Sequence, residues 1–232
     1  MIDGEKKNIW RIKTEELSRK HQLRFALVRE IYKLCKEGFH QAGDQDFKRD
    51  VINHVMNEEK ICLVFENKMS SLTASNVKQN PLVAFVSYRT VDGEMIYLSG
   101  VVTAPPHQGK GVASEMIRWS AKMEDVKWFA ARTQNPAMRE SLKRVCDQIS
   151  PPLSGERPPE NHMSRGERIA RMLGMSRYDR TAMIEKGTYG KSLYGEEVCP
   201  TLDNDIVLNA AFRRIVKVEN GDSMIVIGRR GE

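Results

Sequence analysis

Apolar positions change their spacing along this chain, and each change marks an element. Residues 8–12 read as a short first strand. Over 17–39, Leu23, Leu27, Ile31 and Leu34 recur at helical spacing with Phe25, Val28, Tyr32 and Cys35 alongside, which predicts one long helix with a wide buried stripe. A second helix, capped by Asp44 or Asp46, is expected to about residue 57, with Phe47, Val51, Ile52 and Val55 inward. The runs 61–65 and 82–88 are continuously apolar and of strand length, and the stretch between them, 66–81, is polar and reads as a loop. Val91-Asp92-Gly93-Glu94 suits a primed hairpin turn into a strand over 95–102.

Helical spacing returns at 112–124, with Val112, Met116, Trp119 and Met123 in one row. A short buried strand over 128–131 follows, then a turn at Asn135-Pro136 and a helix to about residue 146. The composition changes at Ser150: "SPPLSGERPPENH" reads as a linker or an extended lid. A short helix over 165–173, a Gly- and Tyr-rich stretch over 178–197, a helix over 205–215, a hairpin turn at Asn220-Gly221 and a closing strand over 224–227 complete the order.

Composition narrows the picture without deciding it. The chain of 232 residues is 40% hydrophobic and 29% charged, in the range of a globular protein. No apolar run is long enough to cross a membrane, and the stretch 1–6 lacks a signal-peptide core, so a cytoplasmic location is expected. Cys35, Cys62, Cys146 and Cys199 lie far apart, without C-x-x-C pairs or neighbouring histidines. They read as reduced thiols, neither zinc ligands nor nucleophiles, and the five histidines show no ligand spacing, so no metal site is expected. The net charge of +6 favours anionic ligands, whether nucleotide or nucleic acid. Arg165, Arg168 and Arg171 would form one basic helix face, either solvated or anion-binding.

Chemistry concentrates in "YLSGVVTAPPHQGKGVASEMI", a strand, a proline-bearing loop, small residues and a helix. Gln108-Gly109-Lys110-Gly111-Val112-Ala113 fits Q/R-x-x-G-x-G/A. Glycines at a helix start leave backbone N–H groups bare where the macrodipole adds roughly half a positive charge, which suits a pyrophosphate. Lys110 either adds a point charge or is a solvated lysine.

This stretch resembles the GCN5-related N-acetyltransferase (GNAT) family. The resemblance covers roughly residues 82–145. It implies acetyl-coenzyme A as acyl donor, its pyrophosphate on Gln108, Gly109, Lys110, Gly111, Val112 and Ala113, and its pantetheine arm along the backbone of Val101, Val102 and Thr103. Ser99-Gly100 is a suitable place for a strand bulge. Asn135 would bond the cofactor or an ordered water, or simply form a turn. Some relatives carry a base glutamate eleven residues before the motif, where this chain has Tyr97. Many use a tyrosine acid seven residues beyond the asparagine, where this chain has Leu142. The missing groups leave two mechanisms: positioning with water as proton acceptor, or catalysis by Tyr97 or by a tyrosine of the irregular segment, Tyr178, Tyr189 or Tyr194.

The expected fold is α/β: a GNAT-like mixed, mostly antiparallel central sheet flanked by helices, with an insertion before the last strands. Residues 1–149 would be the core with the acetyl-CoA loop, 150–205 an insertion or lid, and 206–232 the closing helix and strands of the same domain. The expected activity is acetyl transfer from acetyl-CoA to an amine acceptor, small molecule or protein, by direct attack in a ternary complex. The alternatives are a non-catalytic coenzyme A-binding sensor and a basic nucleic-acid-binding protein; the acceptor and the oligomeric state are not legible.

Overall fold

The computed structural model of the protein describes residues 9–39, 45–190, 192–194 and 205–231. The expected strand start at Asn8, both proposed caps (Asp44 and the side chain of Asp46), Cys199 and the end of the 150–205 segment lie outside the described residues. The chain divides into two compact units, Met1–Arg89 with Ser99–Ser120, and Thr90–Leu98 with Ala121–Glu232.

In the first unit β1 (Ile9–Lys13), β2 (Lys60–Phe65) and β3 (Leu82–Val91) pair antiparallel, with Ile12 opposite Ile61 and Leu63 opposite Phe85. β2 is buried from Ile61 to Phe65, which explains its unbroken apolar run: a strand covered on both faces has no polar side to show. The long helix expected over 17–39 is two helices, α1 (Thr14–Ser18) and α2 (His21–Gly38). Lys20 leaves helical space at φ −117°, ψ 66° with no glycine or proline to announce it. Tertiary bonds override the local pattern: the Thr14 hydroxyl donates to the carbonyls of Glu58 and Glu59 and pins α1 to the start of β2. α2 buries Leu23, Ala26, Leu27, Ile31, Leu34 and Cys35 but leaves Phe25 69% exposed, so its apolar stripe is narrower than expected.

α3 (Gln45–Met56) adds Val51 and Val55 to the same core. The expected loop over 66–81 contains α4 (Ala74–Gln79), started by the Thr73 hydroxyl, which accepts from the Asn76 N–H at 3.2 Å, and anchored by buried Val77. The second half of β4 (Met95–Thr103) packs under α2, where a Cβ on Gly38 would meet Val102 Cγ1 at 2.7 Å. α5 (Val112–Glu124) buries Val112, Met116 and Ile117, while Met123, expected in the same row, is 48% exposed.

β9 (Ser223–Arg229) is the middle strand of the second unit. One edge pairs antiparallel with β5 (Trp128–Thr133), from Trp128 opposite Arg229 to Thr133 opposite Met224. The other edge takes β6 (Gln148–Ser150) at one end and β8 (Ile184–Glu185) at the other, and β8 pairs in turn with β7 (Tyr178–Asp179). Parts of the segment expected as an insertion are therefore strands of the sheet. β4 pairs parallel with β5 from Met95 opposite Trp128 to Leu98 opposite Ala131. At the tip of its hairpin Asp92 and Gly93 hold φ 51° and 70°, the primed turn that Asp-Gly predicts.

Helices α6 (Pro136–Lys143), α7 (Glu160–Met172) and α8 (Ile206–Ile215) belong to this unit. α7 begins five residues earlier than expected, straight after Pro159, and buries His162 and Met163. α8 buries Phe212 but leaves Ile206 and Val207 at 85% and 81% exposure. Asn220-Gly221 is not a hairpin turn: Val218–Asn220 is a 3-10 turn and Gly221, at φ 76°, leads from it into β9. Tyr97, Trp128, Ala130, Ile169, Met183, Ile225 and Ile227 form the core. The whole is an α/β fold with a mixed, mostly antiparallel sheet flanked by helices, as the sequence predicts.

Candidate functional site

β4 ends at Thr103 and a 3-10 turn, Pro105–His107, follows. The Gln108 side chain then folds back, its Nε2 donating to the Thr103 carbonyl at 3.0 Å, and so closes the connection into a tight loop. Gly109 and Gly111 have φ 72° and 82°, backbone that side-chain-bearing residues rarely adopt, and a Cβ on either would meet nothing within 4 Å. None of the N–H groups from Gly109 to Ala113 donates to a backbone carbonyl among the described residues. Lys110 is exposed, Val112 buried, and Gly111 and Ala113 half-buried. The loop brings bare backbone donors to the start of α5, where the helix end adds positive potential.

Beside it, Val101 and Thr103 are half-buried while Val102 points into the core. Gly100 serves close packing: a Cβ there would lie 2.7 Å from Ser87 Oγ and 3.2 Å from the Phe85 ring. The register shift described in this unit falls between Val64 and Phe65, away from Ser99-Gly100.

In the second unit, Asn135 does two things at once. Its Oδ1 accepts from the Ala137 N–H at 2.8 Å and caps α6, and its Nδ2 donates to the Tyr194 hydroxyl at 3.2 Å. Burial pushes the Tyr194 phenol well above its ordinary value, with the Asn135 bond opposing, so the hydroxyl stays protonated. The next side chain back, Gln134, is 1% exposed and bridges the Leu193 N–H and the Asp222 carbonyl.

A model of the acetyltransferase (GNAT) family matches residues 25–141, just over half of the chain and including the whole glycine loop. The chain belongs to the GNAT acetyltransferase family. No curated protein matches it. Among solved structures it is similar to an IAA acetyltransferase from Bacillus cereus ATCC 14579, at 10% identity over 95% of this chain and 97% of that one, TM-score 0.39. It is similar also to a GNAT family acetyltransferase from Elizabethkingia anophelis with acetyl-CoA bound, at 11% identity over 85% and 89%, TM-score 0.37. Tetrahymena GCN5 aligns at 10% identity over 59% and 76%, TM-score 0.41.

As a member of the GNAT acetyltransferase family the chain takes acetyl-CoA as acyl donor. Its glycine loop fits that group: the donors are bare, and the two glycines are open where a side chain would intrude. Of the candidate tyrosines, Tyr97 is 3% exposed within the core, and Tyr178 lies under α7 with its hydroxyl against Gly166 and no hydrogen-bond partner. Burial raises the Tyr178 phenol also. Tyr189 lies under the Arg132 guanidinium, 4.8 Å from the ring centroid. Only Tyr194 among the four bonds Asn135 in the described contacts. Leu142 is fully buried on α6.

The remaining charged candidates are engaged. Arg165 and Arg168 donate to Glu94 at 3.3 and 2.9 Å, Arg168 also meets Asp92 at 2.7 Å, and Arg171 meets Glu167, so the expected basic face of α7 is matched by carboxylates. Arg165 also stacks over Trp128, 3.7 Å from its centroid. Cys35, Cys62 and Cys146 are buried free thiols, and burial with the nearby Asp147 pushes Cys146 up to about 12. Among the described residues no group of three His, Cys, Asp or Glu side chains lies together as a metal site would need, and no helix is long and apolar enough to cross a membrane.

Sequence reasoning passed over Gln134, Leu193 and Asp222 because a bridging amide leaves no motif: its partners are backbone groups that any residue supplies. The only signal was a buried polar residue beside the singled-out Asn135.

Proposed function

We propose that this GNAT protein is an N-acetyltransferase that passes an acetyl group to an amine by direct attack in a ternary complex. The observation that carries the reading is the glycine loop with its bare N–H groups from Gly109 to Ala113. Those groups would hold the pyrophosphate, and the backbone of Val101, Val102 and Thr103 would pair with the pantetheine amides as an added strand does. Gln108 stiffens the loop through the Thr103 carbonyl, leaving that oxygen one lone pair for a second donor.

The donor supplies a thioester carbonyl open to attack and a thiol as leaving group. In the transfer a carbon–nitrogen bond forms and the carbon–sulfur bond breaks. The amine nitrogen gives up one proton and the sulfur takes one. No carboxylate holds the place of the family's base, so water accepts the nitrogen's proton; a primary amine of pKa about 10 then reacts faster as pH rises. Tyr194, oriented by Asn135, would hand the sulfur its proton as the carbon–sulfur bond breaks and recover one from solvent. The phenol would thus come from the irregular segment, taking over the role that Leu142 cannot fill. The carboxylate-matched arginines of α7 favour a small acceptor or a peptide over a nucleic acid.

One feature favours a second reading, a coenzyme A sensor without turnover: Tyr97 and Leu142 replace the acid–base pair that the resemblance implies. Calorimetric titration with acetyl-CoA, followed by thiol release across polyamines, aminoglycosides, amino acids and lysine peptides, separates the two. Turnover with one amine class is expected. Binding with silence across all of them would leave the sensor, and absence of binding would overturn both.

A further inference from the structure

Two consecutive residues after β5 hold two consecutive residues of a distant segment. Gln134 Oε1 accepts from the Leu193 N–H at 2.8 Å, and Asn135 Nδ2 donates to the Tyr194 hydroxyl at 3.2 Å. The other end of the Gln134 amide donates to the Asp222 carbonyl at 3.0 Å, just ahead of β9. One side chain at 1% exposure thus fastens the segment to β5 and to β9 together. Further ties run along the same segment. The Asp222 carboxylate accepts from the Gly187 N–H at 2.9 Å, and the hydroxyls of Thr188 and Ser223 meet at 2.7 Å. The Tyr189 N–H donates to the Gly221 carbonyl at 3.1 Å.

We infer that Gln134 is a positioning residue, the latch that fixes the strap of residues 187–190 and 192–194 and thereby the placement of the Tyr194 phenol. The inference rests on the reading of Tyr194 as proton donor. The division of labour follows from the bonds. Gln134 grips main chain, so it sets where residue 194 begins whatever side chain stands at 193. Asn135 grips the phenol itself, so it sets the direction of the hydroxyl. A buried amide with both ends engaged loses a great deal when cut, because each orphaned group is left without water. Reactive groups tolerate little displacement: about 1 Å of misplacement costs on the order of a hundredfold in rate. The glycines within the strap, Gly187 and Gly190 at φ 65° and 67°, give the backbone no stiffness of its own, so the tethers must supply it.

The test combines amide hydrogen exchange with a double-mutant cycle on the full chain. In Gln134→Ala, the strap amides of 187–190 and 192–194 are expected to exchange about tenfold faster or more, while those of β5 and β9 keep their protection. Unchanged protection of the strap overturns the latch whether or not the protein turns over. With the amine identified by thiol release, kcat is expected to fall about tenfold or more in Gln134→Ala, the acetyl-CoA Kd staying as it was. The double variant Gln134→Ala/Tyr194→Phe should be no slower than Tyr194→Phe. Losses that simply multiply would show Gln134 acting independently of the phenol and would overturn the proposal. Gln134→Glu keeps an oxygen for Leu193 and gives up the donor to Asp222, so it should recover part of both the protection and the rate, and it takes the exchange measurement if Gln134→Ala does not fold. A fully active Tyr194→Phe, or no turnover in the parent protein, would sink the role of the phenol, while the exchange data still decide the latch.

Discussion

Asn135 reaches Tyr194 across 59 residues of sequence: its Nδ2 lies 3.2 Å from the phenol oxygen, while its Oδ1 caps α6 through the Ala137 N–H. The two ends of one amide hold two different partners, so substitutions can separate the cap from the bond to the phenol.

Asn135→Asp keeps a good cap, and the folding midpoint should stay close to that of the parent. Its carboxylate can only accept, so the Tyr194 hydroxyl turns its proton toward it and ceases to be a donor for the reaction. Thiol release should drop by about ten- to a hundredfold. Asn135→Ala loses both functions, with a further cost of about 1 kcal/mol in stability. Thermal unfolding beside thiol release checks the split; equal activity in Asn135→Asp and the parent protein would remove Tyr194 from the mechanism.

Gly111 holds φ 82° with open space where a Cβ would stand. Gly111→Ala should therefore lose only the cost of left-handed backbone, about 1–2 kcal/mol, without a steric clash. Gly111→Glu adds a carboxylate among the donors meant for phosphate and should abolish acetyl-CoA binding in calorimetry while circular dichroism remains native. Normal binding by Gly111→Glu would show that the loop is not the phosphate cradle.

His162 is 1% exposed, edge-on to Trp128 with centroids 5.1 Å apart, and neither ring nitrogen has a hydrogen-bond partner. Burial, then the charges of Arg165 and Arg229, lower its pKa below the ordinary value of about 6.5. The unfolded chain therefore binds the proton more readily, and stability is full above the unfolded value and lost as pH falls through that window toward the lowered folded one. His162→Phe should keep the packing and flatten the fall in unfolding midpoint between pH 8 and pH 5. Parallel curves for the two proteins would contradict the assignment.

Gly166 lets α7 settle onto the Tyr178 hydroxyl and Met183, whose Cε would lie 2.8 Å from an added Cβ. Gly166→Ala should cost about 1–3 kcal/mol by overpacking. Tyr178→Phe removes a buried hydroxyl that has no partner and opens room for the methyl, so the double variant should unfold later than Gly166→Ala alone. Chemical denaturation of the three variants measures the coupling.

What the sequence disclosed follows from the range of the forces involved. The glycine loop, the Asp92-Gly93 turn and the runs of β2, β3 and β5 are governed by neighbouring residues and were legible. The break before α2 was not, because its cause is the Thr14 bond to Glu58 and Glu59, far away in sequence. α4 hid in a polar stretch because the Thr73 cap uses a residue equally at home in loops. The prolines at 158–159 suggested a linker where the second of them heads a helix. The candidate acid was named only as one tyrosine among several: which of them bonds Asn135 depends on the path of the strap, which is set by buried amides and carboxylates with no local signature.

The position of β9 between β5 on one edge and β6 and β8 on the other bears on biogenesis. Trp128 finds its partner in Arg229, so β5 leaves the ribosome long before the strand that completes it. Until then Trp128, Phe129, Ala130 and Ala131 present a sticky ribbon to surrounding macromolecules, and pairings of such long sequence separation form slowly. The nascent chain is thus most vulnerable to aggregation, and most in need of chaperone shelter, during synthesis of the very segment that carries the strap.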